Sequence, residues 1–346
     1  MRPGVRAIAD AADLKLACQS IIWTSSRASA GPVAPAVDKL AALGRICRLR
    51  DHGRIGKKLQ PLFDSALAVA RKRRALANPL DGAGFLMERV AEDLADRVAL
   101  VERRFPEAAL LFSVTGDGAA ALRASGKVDR LVRLEADSSF SGAADVLVAP
   151  PETVPLAPGS LDLAVSLLAL HEVNDVPGLL IQIRRALRPD GLFLAALPGA
   201  GTLSELRDSL IAAEGDLRGG AAARVYPFAD VRDMGGLLQR AGFALPVADV
   251  ETVTVRYSTM FGLLRDLRAM GATSALLDRP RQPLARTVLH RAAEIYAERH
   301  ADPDGRIRAT FSIVWLSGWV PHPSQSKPLE PGSAQMSLAK ALAEKE

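Results

Sequence analysis

The sequence predicts an α/β fold: an open, largely parallel sheet with helices on its faces. Two observations in residues 154–198 carry that expectation. The apolar runs 161–170 and 192–197 have the length and composition of strands buried on both sides. Between them Val176, Leu179, Leu180, Ile183 and Leu187 fall at helical spacing, forming the stripe by which a helix packs on a sheet. A strand, a helix and a strand joined by short turns make a right-handed crossover between parallel neighbours.

The other elements follow in chain order. The basic run Arg71-Lys72-Arg73-Arg74 reads as the solvated face of a first helix, with binding of an acidic partner as the alternative. Residues 85–101 read as an amphipathic helix, with Phe85, Val90, Leu94, Val98 and Val101 on or near one face. Residues 108–114, 131–134 and 145–148 read as the first three strands. Pro158-Gly159-Ser160 turns the chain into the strand at 161. Asn174 or Asp175 caps the next helix with Pro177 in its first turn, and Arg188-Pro189-Asp190-Gly191 stops it. Residues 203–213 form a helix and 214–220 a flexible Gly-rich link. Residues 224–228 form an edge of an acceptor pocket in which Tyr226 packs. A helix over 231–241 closes at Gly242. Residues 250–257 alternate as a strand. Helices over 260–270 and 287–299 are inserted before the last strand, 311–320. Residues 322–331 run over the surface, and the last dozen are helical or frayed.

Length and composition narrow the class. A chain of 346 residues with 49% hydrophobic content can bury a sizeable core. No apolar run reaches the roughly 18–20 residues of a membrane span. Cys18 and Cys47 are the only cysteines, so a disulfide framework or cysteine zinc site is not expected and a reducing compartment is. Of 44 Lys/Arg and 39 Asp/Glu, eleven and four lie in the first sixty residues, leaving 33 and 35 elsewhere. The basic excess is local, and the global charge does not argue for a nucleic-acid partner. The boundaries expected are a basic extension (1–58), a main domain (59–322) and a tail (323–346). A poorly ordered extension, a start set too far upstream and an organellar transit peptide all fit the first segment.

At specific residues the chain resembles a known family. LDLAVSLLALHEVND followed by LIQIRRALRPDGLF is similar to the second half of a class I S-adenosylmethionine (SAM) methyltransferase of the type 11 kind. GAGTLSELRDSL, FADVRDMGGLLQRAGFALPVAD, MFGLLRDLRAMG, DPDGRIRATFSIVWLSGW and HPSQSKPLEPGSA narrow the resemblance to the complex I assembly factor 5 family of mitochondria and alphaproteobacteria. Malonyl carrier protein methyltransferases resemble it more distantly. The resemblance covers about 63–342. It implies a seven-stranded Rossmann-like class I methyltransferase sheet with flanking helices and a helical insertion before the last strand.

It also implies where a cofactor would sit. The family's pattern after the first strand is close to LDLGCGxG, but this chain reads LLFSVTGDGAA. Phe112 stands in place of the acid and Val114 in place of the first glycine, leaving Gly116 and Gly118 as cofactor-binding candidates. A branched residue is an obstacle where the backbone must turn unusually or approach a ligand. Glu135 occupies the place of the acid that grips the ribose hydroxyls. Pro150 stands where an acid near the adenine is usual. Leu170, at the end of the fourth strand, completes the cofactor set. His171 beside it faces the cleft as a candidate catalytic base or orienting group, and Glu205 is a supporting candidate. No metal site is expected.

Three functions remain open on these residues. The first is SAM-dependent methyl transfer to a protein acceptor, including a respiratory complex I subunit. The second, implied by the resemblance, is arginine hydroxylation on such a subunit. The third is a non-enzymatic assembly scaffold with a degenerate SAM site. The expected compartment is the bacterial cytoplasm, or the mitochondrial matrix in a eukaryote.

Overall fold

The computed structural model describes residues 60–140 and 146–325. The extension expected over 1–58 and nearly all of the expected tail lie outside them, as does Asp145 at the start of the expected third strand.

Helix α1 (Ser65–Ala77) begins at Asp64, whose carboxylate accepts the Leu67 N–H at 3.0 Å. Helix α2 (Phe85–Leu100) buries Val90, Leu94 and Val98 of the expected stripe together with Leu86, while Phe85 and Val101 are half-buried. Strand β1 (Phe105–Leu111), helix α3 (Asp117–Ala124) and strand β2 (Val128–Glu135) form the first crossover, and β3 (Val146–Val148) follows. Strand β4 (Leu161–Leu167), helix α4 (Val176–Ala186) and strand β5 (Leu187–Pro198) form the crossover that the sequence announced. Helix α5 (Ser204–Arg218), α6 (Val231–Arg240), strand β6 (Ala244–Tyr257), α7 (Met260–Ala269), α8 (Arg286–His300) and β7 (Ile307–Trp319) complete the chain.

The seven strands lie in the order β3-β2-β1-β4-β5-β7-β6. β3 to β5 pair in parallel, and β7 runs antiparallel between β5 and β6. This is the seven-stranded, Rossmann-like class I methyltransferase arrangement, with α7 and α8 as the insertion before the last strand. Strand residues alternate between two cores, as a period of two demands. Ala108, Leu110, Leu163, Val165, Leu192, Leu194 and Trp315 meet α2, α3, α5, α7 and α8. Ala109, Leu111, Ala164, Phe193, Ala195 and Val314 meet α4 and α6 on the other face.

Several boundaries differ from expectation. The first strand ends at Leu111, not 114, because Phe112 and Val114 turn left-handed, with φ of 56° and 63°. β4 ends at Leu167 because Leu168 turns likewise, at 50°, and Leu170–Glu172 is a 3-10 turn. Pro189, Asp190 and Gly191 do not separate α4 from the next strand; they form a bulge inside β5, where Leu187 faces Leu161 and Leu192 faces Leu163. The chain keeps its ladder there through Val320, which donates to Gly191 O at 2.9 Å and accepts from Asp190 N at 3.0 Å. Residues 214–218 belong to α5. The helix continues because Glu214, 1% exposed, is held by Arg224 and Ala222, and Gly219, at φ 71°, ends it.

Candidate functional site

The carboxyl ends of β1, β2 and β4 converge on α1 beside the point where strand order reverses, between β1 and β4. Loops leaving neighbouring strands towards opposite faces part there, which is why open α/β sheets bind ligands at that place.

The loop after β1 has kept an unusual backbone without the residue that makes it easy. A β-branched side chain in the left-handed region brings Cβ against a carbonyl oxygen, yet Val114 sits there at φ 63°. Two side chains of β2 hold it. Glu135 Oε2 accepts the Val114 N–H at 3.1 Å. Arg133 donates to the carbonyls of Val114, Thr115 and Phe140 at 3.2, 3.0 and 3.1 Å, and to Glu135 Oε1 at 2.8 Å. Arg133 and Glu135 are two apart on one strand, hence on one face, and both are buried. Burial pushes the Glu135 carboxyl above its ordinary value, and the Arg133 guanidinium opposes the rise. Sequence reasoning missed this pair. The available signal was two opposite charges, spaced by two, in the apolar second half of the strand (131–135).

Of the four cofactor candidates, Glu135 and Leu170 meet at the cleft and the two glycines do not. Glu135 borders the cleft, but each of its oxygens already accepts a bond from within the protein. Leu170 borders it too, from the 3-10 turn, and is 2% exposed. Gly116 precedes α3 with φ −87°, and a Cβ there would meet nothing within 4 Å. Gly118 is a packing residue: a Cβ would fall 2.7 Å from Leu167 Cδ1, so its absence lets α3 approach β4. Neither glycine borders the cavity. Phe112 and Val114 do, and the space left is about 60 Å³, against the roughly 300–1,000 Å³ of small-molecule pockets. In this conformation the residues present do not fit SAM: the volume is too small and the acid meant for the ribose is engaged.

His171 turns away from the cleft. Its ring lies 6.0 Å from Tyr226 and 6.1 Å from Phe228, and its Nδ1 is buried without a hydrogen-bond partner. Burial lowers its pKa to about 4, which keeps the ring neutral near pH 7. Its neighbour Glu172 faces the cleft instead and pairs with Lys72 of α1. Tyr226 OH donates to the same carboxylate at 3.2 Å and accepts the Ala275 N–H at 2.8 Å. Burial acts to raise the Glu172 carboxyl, but the Lys72 ammonium holds it below its ordinary value. Lys72 is thus no solvated residue, and Tyr226 does more than pack. The basic run divides by helical phase: Arg71 and Lys72 turn inward, while Arg73 and Arg74 stay exposed.

The remaining candidates tie elements together. Asp175 caps α4 through the Gly178 N–H at 2.8 Å, with Pro177 in the first turn. Asn174 instead accepts the N–H groups of Leu62 and Phe63, fastening the approach to α1. Glu152 accepts from the backbone of both Asn174 and Asp175. Glu205 lies outside the cleft and binds Thr310 of β7. Among the described residues, no three His, Cys, Asp or Glu side chains group closely enough to hold a metal ion.

Sheet order and cleft define a methyltransferase-fold protein, and residues 115–195 match the methyltransferase domain family called Methyltransf_11. The arginine hydroxylase NDUFAF5 of Danio rerio, a mitochondrial protein, is 38% identical over 262 residues, covering 74% of this chain and 81% of the relative. Its Homo sapiens counterpart is 37% identical over 284 residues, covering 80% and 82%. A malonyl-[acyl-carrier protein] O-methyltransferase of Laribacter hongkongensis is 33% identical over 270 residues, covering 73% and 88%. The chain belongs to the NDUFAF5 family, the complex I assembly factor 5 group.

Proposed function

We propose that this protein acts in the assembly of respiratory complex I by engaging an arginine-bearing segment of a protein subunit. The activity printed for its relatives, arginine hydroxylation, is the reaction class this reading assigns to it. The observation that carries it is a contrast. Kinship runs over four-fifths of the relatives' length, while the SAM cleft is closed by Phe112, Val114 and the Arg133–Glu135 pair. A protein whose scaffold persists while its cofactor space fills has a use for the scaffold beyond methyl transfer. Among the described residues, no helix is long and apolar enough to cross a membrane. The reading puts the protein in the cytoplasm of a bacterium, or in the matrix of a mitochondrion.

The test is a comparison of cells with and without the gene. Mass spectrometry of complex I subunits should find one arginine heavier by one oxygen atom only when the protein is present, and the tagged protein should capture that subunit. An unmodified arginine in both strains, with no subunit captured, rejects the reading.

SAM-dependent methyl transfer is the second reading, and the left-handed backbone at Phe112 and Val114 favours it. A cofactor loop that still turns as a glycine-rich loop turns can accept a cofactor once side chains leave its path. Calorimetric titration of SAM and of its demethylated product into the wild type and Val114→Gly decides it. Micromolar binding that tightens in the variant by about tenfold, or 1.4 kcal/mol, supports the reading. No heat from either protein up to millimolar ligand ends it.

A further inference from the structure

A second and larger cavity lies beside α1 at Arg71, outside the cofactor cleft. Its volume is about 500 Å³, within the range of small-molecule sites. Four guanidinium groups line it, those of Arg71, Arg224, Arg279 and Arg281, with Ser274 and Gln282 beside them. We propose that this cavity binds a small organic polyanion carrying phosphate or carboxylate groups.

The charge balance is the first argument. Arg224 is paired with the buried Glu214 at 2.6 Å, and Arg279 faces Asp64 at 3.7 Å. Arg71 and Arg281 have no carboxylate within ion-pair distance among the described residues. Two positive charges therefore lack a direct carboxylate partner at one concave surface, where low-dielectric walls concentrate their field. Burial draws Arg71 below its ordinary pKa, and the charge of Arg279 lowers it further against the opposing influence of Tyr226, Asp64 and Glu172.

Preorganisation is the second argument. Arg71 Nη1 donates to the carbonyl oxygens of Thr273 and Ser274, and Arg279 Nη1 donates to that of Leu276 at 2.6 Å. The Arg71 guanidinium is held by backbone alone, and that of Arg279 by backbone on one nitrogen and by Asp64 on the other. Pro280 and Pro283 bracket Arg281 and Gln282 and stiffen the loop that presents them. The Ser274 hydroxyl oxygen is buried without a hydrogen-bond partner, a polar group that a bound anion can satisfy. The planar fork of arginine matches carboxylate and phosphate oxygens two at a time. The cavity is far larger than the space of about 30 Å³ that one water fills in the liquid, which favours an organic molecule over a lone inorganic ion. The same charges repel a substrate arginine, so this cavity is distinct from any acceptor site for that residue.

The experiment is calorimetric titration of the full chain with pyrophosphate, adenosine diphosphate and citrate at about 0.15 M salt. Saturable, one-to-one binding of at least one probe below millimolar concentration is expected. The phosphate probes and citrate separate a phosphate ligand from a carboxylate one. Arg281→Glu, on an exposed side chain, should weaken that binding at least tenfold with the fold intact by circular dichroism. Arg123→Glu, an equal change of charge outside the cavity, should leave it within about twofold. Three outcomes overturn the proposal: no binding by any probe, binding untouched by Arg281→Glu, or equal weakening by both variants.

Discussion

At the scale of single residues, His171 shows how burial overrides chemical type. A histidine at a strand end beside a cleft has the position of a catalytic base, but here the ring is enclosed by Tyr226 and Phe228 with its pKa lowered to about 4. The unfolded chain binds a proton on this residue near pH 6.5, whereas the folded chain does not until about pH 4. Stability from this group is therefore full above pH 6.5 and is lost progressively as pH falls towards 4. His171→Phe should remove that dependence. Its stability relative to wild type should improve by on the order of 2–3 kcal/mol between pH 7 and pH 4, measured by urea unfolding at each pH. Parallel pH curves for the two proteins would show that the ring does not titrate as its burial requires. The position of His171 was legible in sequence; its environment was not, because Tyr226 and Phe228 come from a distant loop.

At the scale of elements, α1 is the piece whose placement decides what the cleft can hold. It is fixed by the Lys72–Glu172 pair, by Asn174 accepting from Leu62 and Phe63, and by Phe63 against Tyr226 with ring centroids 5.3 Å apart. Gly271 lets α7's trailing turn come close to it. Its φ is 73°, and a Cβ there would lie 2.9 Å from Lys72 Cα. Gly271→Ala should cost about 1–2 kcal/mol in backbone conformation alone, and the clash should push α1 outward. Amide exchange in residues 65–77 should accelerate while that of β4 and β5 stays slow; unchanged protection of α1 would refute the close contact. Sequence periodicity located α2, α4 and α6 well because each has one apolar face. It misread the basic run of α1, since a lysine that meets a buried glutamate a hundred residues away looks like any solvated lysine.

At the scale of the molecule, the sheet joins two helical layers whose cores do not mix. Leu163 faces one and Ala164 the other, both fully buried on the same central strand. Strain or a void at either side must pass through β4, so the described domain should unfold as one unit. Leu163→Ala should cost about 3–4 kcal/mol and shift the helical circular dichroism and the tryptophan fluorescence midpoints together. Separated midpoints would mean the layers melt independently. This architecture was the most legible level of all. Alternating apolar runs and one helical stripe suffice for a crossover, and the chain repeats the device. What the sequence could not convey was the bulge at Pro189–Gly191 or the Arg133–Glu135 clasp, both of which depend on partners brought from other elements.

The left-handed Val114 has a consequence in heredity. Valine codons become glycine codons by a change of the middle base alone, so the residue that this backbone prefers lies one mutational step away. Phenylalanine at 112 needs two base changes to become aspartate. A single base change can thus place glycine at 114 without reshaping the chain, because the clasp on β2 already holds the backbone of that turn. At position 114 the departure from a glycine-rich turn is thus one base deep, although the valine side chain borders the cleft.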